Sequence, residues 1–188
     1  MLPRLRPGKL QGEMLVRAAK LKGVPSPKAF DATAGFGEDS LLLAAAGFDV
    51  TLYENDPVIA ALLQDALERA KTHPELASIV KRMHFHEGDS IGALKRMAES
   101  DSADEMPDIV YLDPMFPARS KSAAVKKKFQ LLHHLERPCS NQEEILEAAL
   151  SVHPRKVIVK RPIKGPHLAD RKPSYSLAGK AVRYDCIV

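Results

Sequence analysis

The chain has 188 residues, 45% of them apolar and 28% charged, and carries a formal net charge of +4. These figures describe one ordinary globular domain with enough chain to bury a sizeable core. They exclude a membrane-spanning helix, because the longest apolar run, residues 41–46, is far too short. Arg4, Arg6 and Lys9 have no apolar stretch behind them, so the beginning of the chain does not read as a secretory signal. Cys139 and Cys186 lack metal-ligand spacing, which points to reduced thiols, a cytoplasmic setting and no bound metal.

In chain order, residues 1–10 are rich in proline and basic side chains and are expected to be loosely held. Met14, Leu15, Ala18, Ala19 and Leu21 recur at helical spacing and predict a helix over residues 12–22, ended by Pro25 and Pro27. A short strand over 28–31 then runs into Asp31-Ala32-Thr33-Ala34-Gly35-Phe36-Gly37, followed by Glu38-Asp39-Ser40 and the helix-forming run 41–46. Two glycines two residues apart let the backbone turn sharply and approach a ligand closely. The helix offers free amides at its start, with Asp39 or Ser40 available as its cap. Gly47 ends that helix, and a second strand over 49–54 finishes on Glu54.

An acid at the tip of the second strand is placed to bind both hydroxyls of a ribose. Together with the glycine turn it indicates an adenosine-containing cofactor. Asn55-Asp56-Pro57 opens a long helix, with Asp56 as cap and Pro57 in the first helical position. A third strand over 82–86 leads to Gly88-Asp89-Ser90, where a carboxylate can meet an adenine amino group or simply cap the next helix. A fourth strand over 108–112 is apolar throughout and hence central. Helices over 123–135 and 142–152, a fifth strand over 156–159 and a closing pair over 174–177 and 182–188 complete the chain. Alternating strands and helices predict an α/β, doubly wound, Rossmann-like sheet, mostly parallel with an antiparallel C-terminal strand. It forms a single domain, with residues 1–27 as an arm and helix before the core at 28–188.

Directly after the central strand stands Asp113-Pro114-Met115-Phe116-Pro117. An aromatic exocyclic amine is a poor nucleophile because its lone pair is delocalised into the ring. The Asp113 carboxylate and the Pro114 carbonyl are placed to accept its hydrogens, and Phe116 to stack on the ring as flipped bases are held. Proline fixes the backbone so that its carbonyl is aimed. Basic residues cluster behind this segment: Arg119, Lys121, Lys126, Lys127 and Lys128, with Lys160 and Arg161 ending the fifth strand. They suggest a face for RNA phosphates, positioning the strand rather than reading its bases. His133 and His134 have no acid or cysteine at ligand spacing and are read as ordinary helix residues.

These motifs resemble the class I S-adenosylmethionine-dependent methyltransferases. More narrowly, the chain is similar to the family that methylates the 2-amino group of a guanine in small-subunit ribosomal RNA (the RsmJ family). The similarity rests on residues 31–39, on Glu54-Asn55-Asp56-Pro57, on Asp113-Pro114-Met115-Phe116-Pro117, on the lysine-serine run 121–127 and on Val157-Ile158-Val159-Lys160-Arg161-Pro162. Longer members of that family carry an N-terminal segment before the core, whereas here the core motifs start almost at once. The resemblance implies that S-adenosylmethionine is contacted by Glu38, Asp39, Glu54, Asn55, Asp89, Ser90 and Asp113. Asp31, Thr33, Ala34, Gly35 and Gly37, which form the turn beneath it, are expected to bind the cofactor as well.

Three other functions remain open from the residues. The same acid-proline-aromatic logic serves an enzyme that methylates adenine in DNA or RNA, or another planar amine. A nucleotide-binding oxidoreductase would need a third glycine near Ser40 and would leave Asp113 to Phe116 without a role. A non-catalytic RNA-binding module would have no use for both the ribose acid and the amine-holding acid.

Overall fold

In a computed structural model of the chain, residues 2–6, 8–100, 106–114 and 141–188 are described. Seven strands form one sheet in the order β3-β2-β1-β4-β5-β7-β6. They are β1 Lys28–Asp31, β2 Asp49–Glu54, β3 Met83–Glu87, β4 Ile109–Leu112, β5 Lys156–Pro162, β6 Tyr175–Ala178 and β7 Val182–Ile187. The first five run parallel, and β7 is antiparallel to both β5 and β6. The helices are α1 Leu2–Leu5, α2 Met14–Ala19, α3 Glu38–Ala45, α4 Pro57–Lys71, α5 Ala77–Val80, α6 Ser90–Ala98 and α7 Gln142–Ser151. The doubly wound sheet with an antiparallel C-terminal strand expected from the sequence is the one observed.

The two-residue period of the strands divides the core between the two faces of the sheet. Ile109, Tyr111, Ile158, Tyr184 and Cys186 pack with Leu15, Leu43 and Leu63 from α2, α3 and α4. Their neighbours Val110, Leu112, Val157 and Val159 face the other way, onto Leu94 of α6 and Ile145, Leu146 and Ala149 of α7. Each fully buried leucine or isoleucine stabilises the fold by about 1.5–3 kcal/mol. The short apolar strands are therefore held from both sides.

Three elements differ from the sequence expectation. Residues 2–6 and 8–10 are docked rather than loose: the Arg4 guanidinium donates to both carboxylate oxygens of Glu13, at 2.9 and 2.7 Å, and Leu10 is buried against Val16 and Leu42. The helix expected over 12–22 is a 3-10 turn, Leu10–Gly12, followed by the short α2. The Lys156 ammonium meets its end, donating to the carbonyls of Ala18 and Lys20. Strand β5 continues to Pro162 because β7 pairs Tyr184 with Lys160, Arg183 with Arg161 and Val182 with Pro162. The helix expected over 123–135 lies outside the described residues.

All five parallel strands deliver their carboxyl ends to one edge of the sheet. Strand order reverses at β1, which lies between β2 and β4. Ligands of doubly wound sheets bind in the crevice at such a reversal. Asp31, Glu54 and Asp113 stand there.

Candidate cofactor and substrate site

The glycine turn is pinned from below by Asp31. Its side chain is only 1% exposed, and it accepts hydrogen bonds from the Ser40 hydroxyl and, at 3.0 Å, from the Thr33 amide. Burial pushes its carboxyl up to about 7 against the pull of those two donors. Above it Gly35 has φ +53 and Gly37 φ +71, values that glycine adopts without strain. A Cβ on Gly37 would lie 2.8 Å from Leu63 Cδ1, so α4 packs right against the turn. A Cβ on Gly35 would meet nothing within 4 Å. That opening adjoins the start of α3, whose N-cap is Gly37 and whose first amides receive no side-chain cap. Neither Asp39 nor Ser40 caps the helix, contrary to expectation, because both side chains are turned to other partners.

The acids around this turn are oriented by the backbone. Glu54 accepts from the Gly35 amide and from the Asp56 amide, each at 2.8 Å and each on a different oxygen. Asp56 caps α4 through the Val58 and Ile59 amides, with Pro57 in the first helical position as expected. Asp89 caps α6, one oxygen to Ile91 N at 2.9 Å and the other to Gly92 N at 3.0 Å. Each carboxylate oxygen has a second lone pair, so these bonds fix the groups without exhausting them. Glu38, Asn55 and Asp89 are exposed at the same edge, while Ser90 is buried beneath.

Across the switch point a different network forms. The Asp113 amide donates to Thr33 Oγ1 at 2.7 Å, tying the end of β4 to the glycine turn. Lys160 Nζ donates to Asp113 Oδ2 at 2.8 Å and to Asp39 Oδ2 at 2.7 Å. The Tyr111 hydroxyl donates to the same Asp39 oxygen at 2.7 Å. Burial raises the Asp113 carboxyl, Lys160 opposes that rise, and Asp39 adds to it. Burial alone would lower the Lys160 ammonium, but its two carboxylates outweigh burial and hold it above its ordinary value. Burial also raises the Tyr111 phenol well above its usual range, so it remains a donor.

These residues fit a cationic, adenosine-bearing ligand. The opening over Gly35 leaves room for it, uncapped amides of α3 border that space, and several carboxylates face it with one ammonium among them. Comparison with known proteins points the same way. All residues 1–188 match a family model described as "Putative SAM-dependent methyltransferase". The chain belongs to the S-adenosylmethionine-dependent methyltransferases. It is 45% identical over 179 residues to ribosomal RNA small subunit methyltransferase J of Thioalkalivibrio sulfidiphilus, covering 95% of this chain and 69% of that protein. The protein of the same name from Pseudomonas paraeruginosa is 45% identical over 174 residues, covering 93% and 65%. The chain thus spans about two thirds of the length of the curated relatives it matches. A crystal structure of an S-adenosylmethionine-dependent methyltransferase from Neisseria gonorrhoeae is 31% identical, with a TM-score of 0.71, over 98% of this chain and 72% of that one.

S-adenosylmethionine is accordingly the cofactor of this methyltransferase. Gly35, Glu54 and Asp113 converge as the sequence suggested, and Thr33 links the turn to Asp113. Pro114 is buried next to Asp113. Phe116, Arg119, Lys121, Lys126, Lys127, Lys128, His133 and His134 lie outside the described residues. Among the described residues no cluster of histidine, cysteine, aspartate and glutamate is arranged to hold a metal, and no helix is long and apolar enough to cross a membrane.

The basic face expected at the end of β5 needs correction. Arg161 is completely buried, with Nε donating to the Pro166 carbonyl at 2.7 Å, so it presents no charge to a polyanion. Lys160 is held between two carboxylates rather than offered to phosphate. Lys156 and Arg183 are also buried; Arg183 donates to Asp185 and to the carbonyls of Pro162, Ile163 and Gly165. A run of charges on a strand alternates between faces, and here the alternation buries part of it. Sequence reasoning also missed Tyr111 and Tyr184. The strand period alone placed Tyr111 on the same face as Asp113, which is the signal that could have found it.

Proposed function

We propose that this methyltransferase transfers a methyl group to the exocyclic 2-amino group of a guanine in small-subunit ribosomal RNA, in the cytoplasm. The observation that carries the reading is the position of Asp113: a carboxylate at the end of the central strand, its amide bonded to Thr33 of the cofactor turn. Among the planar amines open to such a site, the names of the relatives favour ribosomal RNA. S-adenosylmethionine supplies an electrophilic methyl carried on a cationic sulfur.

What the chain contributes is orientation. Asp113 Oδ2 is engaged by Lys160, which leaves Oδ1 to accept an N–H of the amine. An accepted N–H pulls electron density toward nitrogen and directs its lone pair out of the ring plane. The Pro114 carbonyl holds the second hydrogen, and Phe116 stacks on the base. The amine proton released on transfer passes to Asp113 or to solvent. Glu54, fixed by the Gly35 and Asp56 amides, would hold the ribose hydroxyls, and the free amides at the start of α3 would hold the cofactor's carboxylate. RNA phosphates follow Arg119, Lys121, Lys126, Lys127 and Lys128, and the exposed Lys164 and Lys180 add to that charge.

The test incubates the purified protein with methyl-labelled cofactor and small-subunit ribosomal RNA, both as naked RNA and as the assembled subunit, and maps the product by mass. Label on the 2-amino group of one guanine is expected. Label on adenine, or transfer to neither substrate, overturns the reading.

A further inference from the structure

We propose that Lys160 is a positioning residue, whose ammonium bridges Asp39 and Asp113 and so fixes the amine-accepting carboxylate relative to the glycine turn. The proposal rests on the functional reading above for the meaning of Asp113, but the bridge itself is geometric. Two acceptors lie at 2.7 and 2.8 Å, from α3 and from the end of β4, and the lysine comes from a third element, β5. Its side chain is 25% exposed, and those of Asp39 and Asp113 are 16% and 33% exposed. Partly buried pairs of this kind are screened much less than surface ones, so the bridge is worth more than an exposed salt link. For Lys160 to reach an RNA phosphate, both bonds would have to break and leave two carboxylates facing each other.

The groups facing Asp113 come from every neighbouring element. Lys160 and Arg161 stand on β5, Asp39 on α3, Tyr111 on β4, Tyr184 on β7 and Asp31 at the end of β1. Three carboxylates thus share this corner with two cations, and among these groups Lys160 is the one hydrogen-bonded to the Asp113 carboxylate. A protonated Asp113 would have given up the charge that makes it a strong acceptor for the amine. Burial drives Asp113 toward that neutral form, and Lys160 is the first force opposing it. The lysine therefore does two things at once. It sets where the carboxylate points, and it favours the ionised form against the burial that opposes it.

The experiment compares Lys160→Met, Lys160→Gln and Lys160→Arg with the wild type; the two neutral variants guard against one of them failing to fold. The first measurement titrates Asp113 by carboxyl carbon NMR in protein without cofactor or RNA, with Asp113→Asn assigning the resonance. Removing the cation is expected to raise the Asp113 midpoint by about 1–3 pH units, the range for an opposite charge at contact. Lys160→Arg is expected to keep it near the wild-type value. The second measurement is the single-turnover methyl-transfer rate against pH at saturating cofactor. In the neutral variants the acidic limb should move to higher pH, so that raising the pH recovers part of the lost rate. An unchanged Asp113 midpoint, or a rate loss equal at every pH and unrelieved by arginine, overturns the proposal. If the midpoint moves but even the wild type methylates no RNA, the bridge stands and the functional reading is what fails.

Discussion

The two halves of the carboxyl edge hold their acids by different means. Around β1, β2 and β3, the carboxylates of Glu54, Asp56 and Asp89 are gripped by main-chain amides, most of them two or three residues away. Around β4 and β5, Asp39 and Asp113 are gripped by side chains that come from 47 to 121 residues away. A backbone-held carboxylate has partners whose charge does not change with pH, because amides do not titrate. A side-chain-held carboxylate depends on the charge of its partner. On the proposed reading, the cofactor half is therefore built as a fixed template, and the substrate half as an electrostatic balance.

Asp31 sits at the join, and the largest expected effect belongs to it. Its folded carboxyl titrates near 7, above the ordinary aspartate value of about 4 that an unfolded chain would show. Between those values the folded chain keeps a proton that the unfolded chain has released. Its contribution to stability is thus full below pH 4, is lost as the pH rises toward 7, and is flat above. Relative to the Asp31→Asn variant, the wild type should lose up to about 3 kcal/mol between pH 5 and pH 8. Urea unfolding of both proteins at each pH measures this; a constant difference would mean that Asp31 is ionised in the folded state throughout.

Next in size is Asp113→Ala, expected to cut the methyl-transfer rate about 100-fold or more, the scale of losing a transition-state hydrogen-bond partner. The rate must be read in a single turnover at saturating cofactor, which separates chemistry from binding. Near-normal turnover would reduce the segment after β4 to an ordinary Asp-Pro turn. The contrast between template and balance would then lose its substrate half.

That contrast also explains what was legible in the sequence. The turn at Gly35 and Gly37, the cap at Asp56 and the acid closing β2 are local patterns, written within a few residues of each other, and the sequence shows them directly. The sheet and its closing antiparallel strand followed from the alternation of apolar runs. What escaped was non-local. Nothing near Lys160 announces that it will meet Asp39, 121 residues away, and nothing near Arg161 or Lys156 says that their charges will be buried. A charge count along the chain assigns all of them to the surface, because it ignores which face of the strand each occupies. The docking of Leu5 and Leu10 is non-local in the same way, since it depends on Leu42 of α3.

Glu54→Ala tests the template half, with a smaller effect. Losing a charged acceptor for two ribose hydroxyls should weaken S-adenosylhomocysteine binding by about 1–3 kcal/mol in calorimetry. The same substitution releases the Gly35 and Asp56 amides, so Glu54→Gln serves as its companion: it keeps an acceptor and should lose less. Equal affinity in all three proteins would show that the acid only braces the turn.

The smallest effect is the most discriminating, because it concerns a residue with two readings. Asp89 caps α6 with both oxygens, and the family resemblance also gives it a cofactor contact. Replacing it by alanine would remove both roles and decide nothing. Asp89→Ser retains a good N-cap, since a serine hydroxyl accepts from the same helix amides, so the cost in stability should stay within about 0.5 kcal/mol. The carboxylate, however, is gone, and with it any charged acceptor for an adenine amino group. If Asp89 belongs to the cofactor template, affinity for S-adenosylhomocysteine should fall about 5–10-fold while the unfolding midpoint hardly moves, the scale of one charge-assisted hydrogen bond. If affinity is unchanged, Asp89 is a cap alone. The backbone-held half of the edge would then shrink to the turn and Glu54.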